Sequence, residues 1–233
     1  VNALGVPPQY MMDIAKEKGV VTGALVGARE HALKQAKAGV DILIASGTEA
    51  GGHCGEVSTM VLIPEVCEAV KDYDCCVVAA GGIMTGRQMA AAMAMGADGA
   101  WTGSVWLTVD EAETSPVIIE KFLEATSRQT VRSQARTGKF SRQLRSPWHD
   151  AWESATAPDT LPMPLQGLVS EPALSRIVKA AEDGHAGAKD LATFFVGQGV
   201  GLMNRRQSTK SVVLEYMEDF IDAQERLTGF LEE

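Results

Sequence analysis

Several features that define other classes of protein are scarce or missing in these 233 residues. The chain has 4 cysteines, too few for a disulfide scaffold at this length, and no C-x-x-C pair or Cys/His spacing that indicates zinc. It has no apolar run near the roughly 20 residues that a membrane-spanning helix needs. It also lacks a basic segment at its start that would indicate secretion. We therefore expect reduced thiols, no metal site, no membrane segment and a cytoplasmic location.

Positive charge is also in deficit. The 21 Lys and Arg residues against 30 Asp and Glu give a formal net charge of −9. This balance argues against nucleic acid or an anionic membrane as the main partner. Apolar residues at 45% and charged residues at 22% are ordinary for a globular protein, so the chain is expected to fold around a hydrophobic core.

Apolar segments and helical segments alternate along the first half of the chain. The predicted strands are 20–26, 40–46, 75–80 and one within 98–107, and the predicted helices between and around them are 8–18, 28–38, 62–71 and 85–95. Strands that alternate with helices indicate an α/β fold with a parallel sheet, because parallel strands need crossover connections. Three further helices are predicted at about 116–126, 171–183 and 208–231.

Four β/α units are half of a (β/α)8 TIM barrel. We therefore interpret 1–126 as the C-terminal half of such a barrel, 127–170 as a basic and proline-rich connector, and 171–233 as a helical tail. On this interpretation the N-terminal strands of the barrel precede the sequence, and ordinary barrel size predicts a segment of roughly 100–150 residues for them.

Glycines follow the third and fourth predicted strands, at Gly81-Gly82 and at Gly103 before Ser104. Ligands of β/α folds gather at the carboxyl ends of the strands, and glycine lets backbone N–H groups approach an anion closely. A helix N-terminus behind such a turn adds a favourable dipole. The pattern is consistent with a phosphate site, although strand-to-helix turns are rich in glycine for structural reasons as well.

His53 lies in the glycine-rich loop 47–59 that follows the second predicted strand. A histidine can move a proton near neutral pH, so His53 is the candidate catalytic acid or base, against the alternative of a histidine that only binds a loop carbonyl. Glu49 is either its orienting partner or a solvated carboxylate. His31, His149 and His185 are expected to have no catalytic role.

A set of segments together resembles the nitronate monooxygenase family, also called 2-nitropropane dioxygenases. The segments are EAGGHCG, STMVLIPEV and VVAAGGIMTGRQMAAAMAMGADGAWTGSVWL, with GVDILIASG, TGKFSRQLR and GQGVGLM as further similarities. The flavin-dependent enoyl-acyl-carrier-protein reductases share this barrel and these motifs. The resemblance runs from the first residue to about residue 220.

This resemblance implies an FMN-binding TIM barrel that works as a flavin-dependent oxidoreductase. It implies that Gly82, Gly103 and Ser104 hold the FMN phosphate with Gly81 nearby, and that Gly51 and Gly52 lie next to the flavin. It also implies that His53 is the catalytic acid/base. The flavin would carry the electrons, while the protein supplies position and a proton path.

Three activities stay open at this point. The first is oxidation of a nitronate or nitroalkane with molecular oxygen as acceptor, and the second is NAD(P)H-dependent reduction of an enoyl thioester on an acyl carrier protein or CoA. The third is a phosphate-binding barrel without redox chemistry. Leu25 stands where family members active on nitronates carry a lysine, which keeps the second activity in view. All three take a small-molecule substrate, and a homo-oligomer is left open.

Overall fold

The computed structural model describes residues 1–3 and 5–231, so Leu4 of the predicted barrel half and residues 232 and 233 of the predicted tail lie outside the described residues. The chain divides into two compact units. One comprises residues 1–49, 55–102 and 210–233, and the other comprises residues 50–54 and 103–209. Within the described ranges, no helix combines the length and apolar character needed to cross a bilayer.

The first unit contains four parallel strands in the spatial order β1-β2-β4-β5. Their bounds are β1 Gly23–Val26, β2 Ile42–Ser46, β4 Cys76–Ala80 and β5 Gly99–Ala100. The helices of this unit are α1 Gln9–Glu17, α2 Arg29–Lys37, α3 Thr59–Val70, α4 Gly86–Ala94 and α9 Thr209–Gly229, of which Thr209 itself is counted with the second unit. The predicted parallel α/β fold is thus confirmed. Over the described residues, these four strands form an open sheet and not a closed barrel.

The core of the first unit lies between the sheet and its helices. Strand residues such as Leu43 and Ala79 pack with Leu62, Ile63 and Val66 of α3, and all five are fully buried. The strands are apolar on nearly every residue because both faces of a parallel sheet are covered. This arrangement directs the carboxyl ends of the strands, and the loops that follow them, to one edge of the sheet.

Two predicted elements of this unit need correction. Helix α3 begins at Thr59, three residues earlier than predicted, so Pro64 lies inside the helix and not in its first turn. The fourth strand ends at Ala100, and residues Ser104–Thr108 of the predicted 98–107 segment form a 3-10 helix. Cys76 opens β4 with its side chain exposed, and Cys75, the first residue of the predicted strand, precedes β4 and is half-buried.

The second unit contains a small antiparallel sheet in the order β3-β7-β6. Its strands are β3 Gly52–His53, β6 Thr130–Ser133 and β7 Ser141–Leu144, and its helices are α5 Pro116–Glu124, α6 Pro147–Trp152, α7 Leu165–Glu182 and α8 Ala186–Leu191. The strands within 130–144 and the helices α6 and α8 are not among the elements predicted from the sequence. The sequence SRQL of β7 shows no regular alternation of apolar and polar residues, although all four of its residues are buried.

The two units interleave along the chain, whereas the predicted segments 1–126, 127–170 and 171–233 are consecutive. The division into a barrel half, a connector and a helical tail therefore remains a proposal. The candidate positions named from the sequence fall in both units: Glu49, Gly81 and Gly82 in the first, and His53, Gly103 and Ser104 in the second.

Candidate active site

His53 is held on the edge strand β3 of the antiparallel sheet, where it pairs with Ser141 of β7. Its ring Nε2 lies 2.9 Å from Oγ1 of Thr137, in the loop between β6 and β7. The ring centroid is 6.5 Å from that of Phe195, with the planes tilted by 48°. Within the described residues, Nδ1 of the same ring has no hydrogen-bond partner. One ring nitrogen is therefore anchored and the other remains available.

The electrostatics of His53 favour a neutral imidazole. Loss of water on the packed side of the ring lowers the pKa of His53 below its ordinary value of about 6.5, and the positive charge of Lys139 lowers it further. The ring is therefore uncharged at neutral pH even though part of it faces solvent. A neutral imidazole with an unoccupied nitrogen can accept a proton, which is what a general base requires.

Glu49 serves neither of the two roles proposed from the sequence. Its Oε2 accepts hydrogen bonds from the backbone N–H of Thr59 at 2.9 Å and from the Thr59 hydroxyl at 2.7 Å. Thr59 is the first residue of α3, and Ser58, at the N-cap position, makes no side-chain cap. The carboxylate therefore caps α3 from the preceding loop, where it also complements the helix dipole.

The Gly81-Gly82 turn follows β4 and leads to α4. Gly81 has φ +125°, and a Cβ placed on it would lie 2.4 Å from Thr59 Oγ1. Gly82 has φ +69°, and its Cβ would lie 3.2 Å from that of Glu49. Both positions need glycine because L side chains rarely adopt these dihedrals. At Gly81 the crowding alone explains the glycine, whereas at Gly82 the constraint is mainly the backbone conformation.

The chain's own groups already satisfy several donors around the start of α4. Thr85 caps the N–H of Gln88, the Gln88 side chain accepts from Met84 N–H at 2.8 Å, and Asp219 of α9 accepts from Arg87 N–H at 2.7 Å. The N–H groups of Gly82 and Ile83 are different, because no carbonyl of the described chain accepts from them. These two donors, next to the positive end of a helix, fit the phosphate group of a flavin.

Gly103 and Ser104 form a second set of donors. A Cβ on Gly103 would meet nothing within 4 Å, and no described backbone carbonyl accepts from the N–H groups of Gly103 or Ser104. Ser104 Oγ accepts a hydrogen bond from Gly197 N–H at 2.9 Å. Since that contact uses an oxygen lone pair, the hydroxyl hydrogen remains available to an anion.

Gly51 and Gly52 have different reasons to be glycine. A Cβ on Gly51 would lie 2.7 Å from the backbone of Val196 and Gly197, so this glycine is required by packing within the protein. Gly52 has φ +74° with open space where its Cβ would be. Of the pair, Gly52 is the position that a flat ring could approach. The flavin contacts expected at both glycines remain a proposal.

His149 and Arg136 have structural roles within the second unit. His149 is fully buried, and its Nδ1 accepts from Ser146 N–H at 3.2 Å. Burial lowers the pKa of His149, so it is neutral too. Arg136 is buried, and its Nε and Nη2 donate hydrogen bonds to the two carboxylate oxygens of Glu171 at 2.7 and 2.9 Å. Arg136 is therefore not part of a solvated surface.

Three residues near the candidate site escaped the sequence analysis: Thr137, Phe195 and Gly197. Two of them stand inside segments noted only as similarities, Thr137 in TGKFSRQLR and Gly197 in GQGVGLM. Their partners, His53 and Ser104, are 84 and 93 residues away in the chain. No local pattern reports a contact at that separation.

The fold and the candidate residues together define a class: a parallel β/α protein with glycine turns after its strands and a histidine that has one anchored and one available ring nitrogen. Comparison with known proteins makes the class specific. The sequence profile described as nitronate monooxygenase matches residues 1–219. The chain belongs to the nitronate monooxygenase family.

Individual relatives agree with this assignment. The chain is 53% identical over 232 residues to Rv1533 of Mycobacterium tuberculosis, which is provisionally named a monooxygenase, with 99% of the chain and 61% of that protein covered. The solved nitroalkane oxidase from Streptomyces ansochromogenes is 27% identical with a TM-score of 0.85, over 97% of this chain and 66% of that one. FabK from Thermotoga maritima is 31% identical with a TM-score of 0.79, over 98% and 70%. The chain thus spans about three fifths of the length of the curated relative Rv1533.

Proposed function

We propose that this protein is an FMN-dependent oxidoreductase of the nitronate monooxygenase type, which oxidises a nitronate or nitroalkane with molecular oxygen as the final electron acceptor. The observation that carries the proposal is the state of His53. Its Nε2 is anchored on Thr137 at 2.9 Å, while Nδ1 has no partner within the described chain. Membership of the nitronate monooxygenase family supports the reaction class.

In this proposal His53 handles the proton. When the substrate is a nitroalkane, Nδ1 takes the proton from the carbon next to the nitro group, which is acidic because the resulting charge spreads onto the nitro oxygens. The lowered pKa of the imidazole keeps this nitrogen unprotonated at neutral pH. The Phe195 ring lies beside the imidazole, with the two ring centroids 6.5 Å apart. FMN, when bound, supplies the electron-accepting ring that no side chain offers.

The groups that would hold FMN are the backbone donors described above. Gly82 and Ile83 offer N–H groups in the first unit, and Gly103 and Ser104 offer N–H groups and a hydroxyl in the second. As the family resemblance implies, we assign the FMN phosphate to Gly82, Gly103 and Ser104, with Gly81 nearby. Gly52 is assigned to the flavin ring because its backbone has open space where a side chain would be. Gly51, which packs on Val196 and Gly197, would contribute by holding Gly52 in place.

The alternative is an FMN-dependent reductase of enoyl thioesters that takes electrons from NAD(P)H. Similarity to FabK at 31% identity and the presence of Leu25 favour keeping it as a second candidate. In that reaction His53 would deliver a proton to the substrate and not remove one. Because the His53 imidazole is neutral at pH 7, it is better suited to removing a proton than to delivering one.

Anaerobic stopped-flow spectroscopy of the purified protein separates the candidates. Bleaching of the flavin bands by propyl-2-nitronate or nitroalkane, but not by NAD(P)H, supports the oxidase. Rapid bleaching by NAD(P)H alone moves the assignment to the reductase. A colourless, folded protein contradicts both, and mass spectrometry of the released cofactor distinguishes FMN from FAD.

The His53→Ala variant tests the role of the histidine. We expect it to retain flavin and to lose turnover by about 10²–10⁴-fold, the usual contribution of a positioned acid or base. His31→Ala, on the exposed side of helix α2, is the matched control and should leave turnover unchanged. Normal turnover by His53→Ala would remove the catalytic assignment.

A further inference from the structure

Thr137 makes three contacts through one hydroxyl oxygen. Oγ1 lies 2.9 Å from His53 Nε2, 3.0 Å from the carbonyl oxygen of Lys139, and 3.3 Å from the Lys139 nitrogen. The Lys139 carbonyl can only accept, so the contact with it uses the single hydroxyl hydrogen. The Lys139 N–H can only donate. The contact with His53 is then satisfied in one way, with the imidazole donating its Nε2 hydrogen to Thr137.

This arrangement determines which tautomer His53 adopts. A neutral imidazole carries one hydrogen, and if it sits on Nε2 then Nδ1 holds the lone pair. We propose that Thr137 is a positioning residue that fixes the Nε2–H tautomer of His53 and so presents Nδ1 as the base. The inference rests on the proposed function for its catalytic consequence, and on the hydrogen bonds alone for the tautomer.

The elements around His53 make this geometry rigid. Strand β3 pairs in register with β7, Gly52 opposite Arg142 and His53 opposite Ser141, and Thr137 lies in the loop that leads into β7. On the other side, the Arg136 guanidinium lies 4.4 Å from the centroid of the Phe195 ring. Thr137 is thereby fixed relative to the imidazole by the sheet itself.

The charged groups near the imidazole do not compete with Thr137 as acceptors of the Nε2 hydrogen of His53. The charged residues in the 134–140 loop and in β7 are Arg136, Lys139 and Arg142, all cationic, and Arg136 is neutralised by Glu171. Arg142 donates to the Thr130 hydroxyl at 3.0 Å. The adjacent thiol of Cys54 is kept protonated because burial raises its pKa. Residues 193–197 carry no titratable side chain. Thr137 is thus the acceptor that the surrounding elements offer to Nε2.

The experiment is ¹⁵N NMR of histidine-labelled protein, with the flavin-loaded form compared in wild type, Thr137→Val and Thr137→Ser. His53→Asn assigns the His53 signals, and His31, His149 and His185 serve as internal references. In wild type and Thr137→Ser we expect a protonated Nε2 and an unprotonated Nδ1. In Thr137→Val, which keeps the shape but has no acceptor, we expect both nitrogens to move toward the averaged shifts of two exchanging tautomers.

Turnover gives a second readout. Misorientation of a catalytic group costs up to about 10²-fold, so kcat of Thr137→Val should fall about 10–100-fold with little change in KM and unchanged flavin content, while Thr137→Ser stays within about threefold of wild type. An Nδ1–H tautomer in the wild-type spectrum would overturn the proposal, even if Thr137→Val does not fold. So would a Thr137→Val variant with the wild-type spectrum and kcat, or a Thr137→Ser variant as impaired as Thr137→Val. Normal turnover by His53→Asn would instead overturn the proposed function and leave the spectra as an independent test of the tautomer.

Discussion

The cap that Glu49 places on helix α3 leads to a quantitative prediction about stability. The Glu49→Ala variant removes the acceptor of both Thr59 contacts, at 2.9 and 2.7 Å. Loss of an N-terminal cap costs about 0.5–2 kcal/mol, and loss of a negative charge at a helix N-terminus costs about 0.3–1 kcal/mol. Because Glu49 is partly exposed, solvent screens the charge. We therefore expect the free energy of unfolding to fall by about 2 kcal/mol.

Two variants separate the components of this effect. Glu49→Gln keeps an oxygen acceptor but not the charge, so it should lose only about 0.3–1 kcal/mol. Ser58→Ala changes the residue at the N-cap position, whose side chain makes no cap, and should stay within about 0.5 kcal/mol of wild type. Urea unfolding followed by far-UV circular dichroism measures all three, with unchanged m-values as the check that the same transition is compared. The reasoning is refuted if Ser58→Ala costs as much as Glu49→Ala.

Further predictions concern the glycine turn and the buried histidine. Gly81→Ala should destabilise the protein by about 2–4 kcal/mol in urea unfolding, because it adds a clash with Thr59 Oγ1 to a backbone conformation that costs a non-glycine residue about 1–3 kcal/mol. Gly39→Ala is the control, because Gly39 has φ +81° but open space where a Cβ would lie. A loss of equal size in Gly39→Ala would contradict the role of the clash. Because the pKa of His149 is lowered in the folded state, the unfolded state binds more protons below pH 6.5, and the free energy of unfolding should fall as pH drops from 6.5 toward 5. His149 contributes at most about 1.4 kcal/mol per pH unit to this slope, so the slope should be smaller in His149→Gln; equal slopes in the two proteins would argue against burial as the cause.

Much of the first unit was predictable because its strands and helices follow from the preferences of residues that are neighbours in the sequence. Apolar runs such as Leu43–Ala45 and 77–80 predict buried strands, and the helices between them follow from residue preference and from glycine stops. Alternation of the two predicts a parallel sheet. The predicted bounds lie within three residues of the observed ones, and a group from outside the element explains one of the differences. Helix α3 is the example: it starts early because Glu49, ten residues upstream, supplies its cap.

The second unit was much less predictable. Strands β6 and β7 carry TVRS and SRQL, which have no clear apolar period, yet every residue of β7 is buried. Polar side chains can be buried there because partners from other segments satisfy them, as Thr130 does for Arg142. The sequence of β7 alone does not indicate that those partners exist.

The same division holds for the candidate site. From the sequence alone came the β/α class, the glycine turns after the strands, and His53 as the residue whose chemistry suits proton transfer. Only the tertiary structure shows that Glu49 caps a helix, that Ser104 meets Gly197, and that Thr137 holds Nε2 of His53. Residue type and spacing report the conformation of neighbouring residues, whereas the partners of His53 and Ser104 lie more than 80 residues away in the chain and are set only when the whole chain packs.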